Sequence, residues 1–97
     1  MKDYEDVLKP IELSYDNPTI ELEQDIIITS TFSNGNIRLT VGDTNNEMIL
    51  SVIGCGIMCN FDPLLLVNSN KLTMQSNDKD AAIAIAYSKE INATNNN

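Results

Sequence analysis

The chain has no histidine and no tryptophan, and its aromatic residues are only three Tyr and two Phe among 97. Without histidine, no side chain ordinarily titrates near neutral pH, so the commonest general base and a very common metal ligand are both missing. Without tryptophan, the interior has to be aliphatic, built from Ile, Leu, Val, Met and Ala. Cations are scarce as well: six Lys and Arg stand against fourteen Asp and Glu, for a net charge of −8. Such a chain repels phosphate backbones and anionic lipid surfaces, which argues against direct nucleic-acid or membrane binding. No apolar run approaches the length of a membrane span, and the opening MKDYEDVLKP lacks the basic start and apolar stretch of a signal peptide. The expected location is cytoplasmic or within a virion.

Only two cysteines are present, both in the stretch SVIGCGIMCNFD. A zinc site normally needs four ligands, and two thiols without histidine do not supply them. The spacing of Cys55 and Cys59 is not that of a CxxC redox motif. In an extended strand the two are about 13 Å apart, beyond disulfide reach, whereas one helical turn would bring them closer. We read them as buried free thiols, as in a reducing compartment.

What the chain does have is alternation of period two from residue 11 onward, the pattern of strands with one buried face. Ile11, Leu13 and Tyr15 alternate with polar residues before the turn DNP. Ile20 and Leu22, then Ile26, Ile28 and Phe32, keep one phase, as one long strand or two in line. In SNGN, Asn34-Gly35 predicts a two-residue type I′ hairpin that sets Phe32 opposite Ile37 and Ile28 opposite Val41. After GDTNNE the same parity continues through Met48, Leu50 and Val52, completing a three-stranded meander. At Ile53-Gly54 the apolar phase flips to Ile53, Cys55, Ile57, Cys59 and Phe61, as at a bulge or a crossing between sheets. Leu72 and Met74 mark another strand. AAIAIAYS reads as a strand with Ala82, Ala84 and Ala86 on one side, or as a helix capped by Asn77 or Asp78. MKDYEDVLK reads as a short helix or arm with Tyr4, Val7 and Leu8 inward, ended by Pro10.

These patterns predict an all-β fold: a small antiparallel sandwich or partly closed barrel of six to eight strands. Residues 1–91 form one domain, 1–10 its arm or short helix, and 92–97 a disordered polar tail. The expected core includes Ile28, Phe32, Ile37, Leu39, Val41, Ile53, Cys55, Ile57, Cys59 and Phe61.

Candidate chemistry is sparse. Asp78 and Asp80, and Asp43, Asn45 and Glu47, alternate as oxygen ligands do, but both groups fall in predicted turns and lack EF-hand spacing. No GxSxG or phosphate-cradling glycine loop occurs, and neither a catalytic nor a metal site is assigned. No cofactor is expected. Two features suit a protein partner or a second copy. One is the Ala82, Ala84 and Ala86 face, where small side chains permit close approach. The other is the acidic N-terminal segment, including Asp3, Glu5, Asp6 and Glu12. The expected function is a non-enzymatic structural or accessory module of a larger assembly, such as a small phage virion protein that decorates a capsid. The 13 asparagines, suggestive of an AT-rich genome, agree with that source. Two alternatives remain: an acidic inhibitor or immunity-type protein binding a basic nucleic-acid enzyme, and a small-ligand or cation-binding β domain.

Overall fold

The computed structural model describes residues 3–42, 47–54, 56 and 58–91 and, for residues 51–53 and 63, the backbone alone. The described residues form nine strands: β1 (Tyr4–Asp6), β2 (Ile11–Ser14), β3 (Thr19–Glu21), β4 (Ile26–Asn34), β5 (Ile37–Val41), β6 (Met48–Ile53), β7 (Met58–Val67), β8 (Lys71–Gln75) and β9 (Ala82–Glu90). They make two antiparallel sheets packed as a sandwich. Sheet A runs β1-β9-β4-β7, with β2 beside β1 on the same edge of β9, and sheet B runs β3-β8-β5-β6.

The pairings β2·β9, β3·β8, β4·β7 and β5·β6 are nested, and β9·β4 and β8·β5 join them into sheets. A long antiparallel ribbon rolled on itself gives this order, which is that of a jelly roll; β1 is an added edge piece. The interior is aliphatic, as the composition requires. Ile11, Leu13, Ile26, Ile28, Val67, Ile83 and Ile85 from sheet A meet Ile37, Leu39, Val41, Leu72 and Met74 from sheet B. Each such side chain contributes about 1.5–3 kcal/mol when fully buried.

The strand reading of AAIAIAYS, favoured over the helix, holds: β9 (Ala82–Glu90) is the second strand of sheet A from the β1/β2 edge. Several other sequence expectations give way to this topology. The N-terminal helix is absent: Tyr4–Asp6 pairs with Ser88–Glu90, and Leu8 is wholly exposed. Nine residues ending at a proline make a marginal helix, while β9 offers ready backbone partners. Nor are β3 and β4 one strand or two in line, since they lie in opposite sheets.

The Asn34-Gly35 hairpin is also corrected. Among the described residues, none other than glycine has positive φ, so Asn34 cannot serve a type I′ turn; it stays in β4, opposite Ala82. Gly35, at φ 98°, turns the corner from sheet A to sheet B. Its α-carbon is pressed against the β8–β9 turn, where an added Cβ would stand 3.1 Å from that of Ala81. The meander therefore reduces to the β5–β6 hairpin. Met48 does oppose Val41, but a bulge at Leu50 shifts the rest, and Met48 is exposed.

The phase flip near Ile53-Gly54 is a crossing between sheets. Ile53 ends β6 in sheet B, while Cys59 and Phe61 sit in β7 of sheet A, so these three do not share one strand face. The crossing is fastened to β4: Ser33 Oγ donates to the Gly54 carbonyl at 2.6 Å, and Gly56 N–H donates to the Ser33 carbonyl at 3.0 Å. Gly56 is needed for its φ of 69°, not for space, since among the described residues nothing lies near its Cβ position. Cys59 and Phe61 are half-buried against the core. Cys55, Ile57 and the side chain of Ile53 lie outside the described residues, as do Asp43, Asn45 and residues 92–97.

Candidate functional site

Along β4 the burial pattern inverts. Ile26 and Ile28 face the core, but both ladders of β4 shift register between Ile28 and Ser30. Against β9 the extra residue is Thr29, which donates its hydroxyl to the Ala86 carbonyl at 3.1 Å and fastens the bulge; against β7 the surplus is on β7, whose residues 61–64 span the interval. Beyond it Thr31 and Ser33 point inward, and Phe32 points out, 50% exposed. Phe32, expected in the core, is thus a surface residue.

The inversion runs against packing. Half-exposing a phenylalanine forgoes about 1 kcal/mol of burial. The Thr31 hydroxyl, 1% exposed, has no hydrogen-bond partner among the described residues, a cost of about 1–3 kcal/mol.

Phe32 is not alone. On the outer face of sheet A it stands level with Met58 of β7 on one side and with Ala84 of β9, then Glu12 of β2, on the other. Ala86 lies in the next row opposite Ser30, and Ala82 opposite Asn34. Farther along β7, Leu64 and Leu66 are 55% and 51% exposed and Met58 is 61% exposed. Between β4 and β2 the small alanines leave a depression of about 440 Å³. Its floor is Ala82 and Ala84; Phe32 and Asn34 form one bank, and Glu12, Ser14 and Asn17 the other.

Sheet A therefore brings Ala82, Ala84 and Glu12 together and keeps Ala86 on the same face. The other acids stand apart. Asp6 pairs opposite Ser88, four β9 residues or about 13 Å from the Glu12 row. Its carboxylate accepts a hydrogen bond from Ser88 Oγ at 2.6 Å. Asp3 and Glu5, both exposed, precede it along the edge, Glu5 opposite Lys89 on the other side of the strand.

A larger depression, about 580 Å³, opens beside the β8–β9 turn around Asn36, Arg38, Gln75 and Asp78. Its polar groups hold the turn itself: Ser76 Oγ donates to the Asn36 carbonyl, and Asp78 Oδ1 accepts from Asp80 N–H. The Asp78/Asp80 pair is thus a turn device. Glu47 accepts hydrogen bonds from Thr40 and Gln75. Among the described residues, no three of His, Cys, Asp or Glu gather as a metal site would require.

Met58, Leu64 and Leu66 were missed because MCNFDPLLLV carries apolar residues in both phases. Phe32 was misplaced because a one-residue bulge in TST leaves no mark on the pattern. No family model matches the chain, nor does any curated protein or solved structure.

Proposed function

We propose that the protein is a non-enzymatic structural or accessory module of a larger assembly, docking through the outer face of sheet A. The observation that carries this is the inversion in β4, which exposes Phe32 beside Met58 and the alanines while burying Thr31 and Ser33. Local violations of packing rules are expected where a surface serves a partner. An apolar patch of this kind marks interaction surfaces. Jelly rolls occur in viral capsid and lectin domains, in keeping with a virion component, though strand order alone does not select a function.

Charge indicates what kind of partner fits. Among the described residues, the acids that the ladders place on this face, such as Asp6 and Glu12, have no Lys or Arg on it beside them, whereas Lys9, Arg38, Lys71, Lys79 and Lys89 lie on loops, on sheet B or on the inward side of β9. A second copy would bring the same acidic rim and another net charge of −8. The occupant is therefore a different protein, apolar at the centre of its contact and basic around it.

A photo-crosslinking residue placed at position 58, with a control at 38 on sheet B, tests this in lysate of the source cells. A discrete adduct is expected from position 58 only, weakened but not lost at raised salt and abolished by Ala84→Glu. An adduct of twice the chain's mass, or equal capture from both positions, contradicts the proposal. The inhibitor reading is selected instead if neutralising Asp3, Glu5, Asp6 and Glu12 abolishes capture while Ala84→Glu stays competent.

A further inference from the structure

Phe32 and Glu12 face each other across the depression. They share one row of the outer face, with Ala84 between them. Two strand spacings separate their backbones, about 9.6 Å, and on that row only an alanine methyl fills the gap. Among the described residues, nothing holds the Glu12 side chain by a hydrogen bond or ion pair. An apolar floor, a half-exposed aromatic ring on one bank and a free carboxylate on the other make a slot for a long, flat cation.

We infer that this slot receives an arginine side chain of the docking partner, its stem lying on Ala84, its guanidinium against the Phe32 ring and paired with Glu12. Arginine fits better than lysine because its plane stacks on an aromatic and its donor fork matches a carboxylate. Asn34 and Asn17 at the rim supply amide groups beside the slot. The assignment rests on the docking reading and specifies which side chain the acidic, apolar face selects.

The test uses the full chain, ¹⁵N-labelled, titrated with a capped glycine pentapeptide carrying one central arginine, and with its lysine and citrulline counterparts. The arginine peptide is expected to shift the amide signals of Glu12, Phe32 and Ala84 in particular. Lysine should bind more weakly, and citrulline, which keeps the shape and loses the charge, should leave those signals in place. Glu12→Gln and Phe32→Leu should each weaken binding about threefold, in line with an exposed ion pair and a cation–π contact. Both positions are on the surface, and the same spectra report whether each variant is folded. Equal shifts from citrulline, equal binding by lysine, or changes scattered over Asp3, Glu21 and Asp78 would overturn the arginine assignment. The docking reading falls separately, on the crosslinking result at position 58.

Discussion

At the scale of single residues, β4 supplies neighbouring side chains with opposite expected effects. Thr31→Val removes a buried hydroxyl that has no partner among the described residues and keeps the shape, so stability should rise by about 1 kcal/mol. Ser33→Ala removes the donor to the Gly54 carbonyl and should lower stability by about 1–2 kcal/mol. Urea unfolding of the two variants checks the pair, and a loss of stability in both would mean that Thr31 has a partner. Gly35→Val should be worse than either, on the order of 1–3 kcal/mol, because it imposes a branched side chain at φ 98° and against Ala81. The buried Asp25 carboxylate accepts hydrogen bonds from Ser69 N–H and Ser69 Oγ at 2.7 and 2.8 Å, tying the β3–β4 connection to the β7–β8 turn. No periodicity announced that contact.

At the scale of elements, alternation made most strands legible and their partners illegible. Ile37, Leu39 and Val41, or Leu72 and Met74, show a buried face from sequence alone, because a period of two is a local property. Which strand lies alongside is not local: Ile11 pairs with Ile85. Asn34-Gly35 looked like a hairpin because its neighbours on both sides alternate, and two strands that cross between sheets alternate equally well. Of the candidate site, the alanine face and Glu12 were legible as an apolar stripe and an acid in strands. Their juxtaposition with Phe32 was not, since it depends on the Thr29 bulge. Thr29→Val should lower stability by about 1 kcal/mol through loss of the bond to Ala86, measurable by thermal unfolding. Outer-face changes on β7 such as Leu64→Lys should stay within about 0.5 kcal/mol and raise solubility, because the strand is a long edge with Asp62 its one charge.

At the scale of the whole molecule, nested pairing makes the two ends of the chain interdependent. β9 pairs with β1, β2 and β4, so a chain ended after residue 81 should fail to fold, as loss of dispersed amide signals would report. Long-range closure of this kind should also make folding slow, on the millisecond-to-second scale, as a single cooperative step in stopped-flow refolding. The same roll carries the exposed side of β4 to the middle of a sheet face, flanked by β7 and β9, where a partner can cover it. Equilibrium urea unfolding of Phe32→Ser, beside Ile28→Ala from the same strand, tests that placement most directly. With Phe32 outward, its replacement should cost no more than about 1 kcal/mol, against about 2–5 kcal/mol for Ile28→Ala. A loss of about 3–5 kcal/mol for Phe32→Ser, the cost of emptying a core phenylalanine, would place the ring inside and remove the docking face.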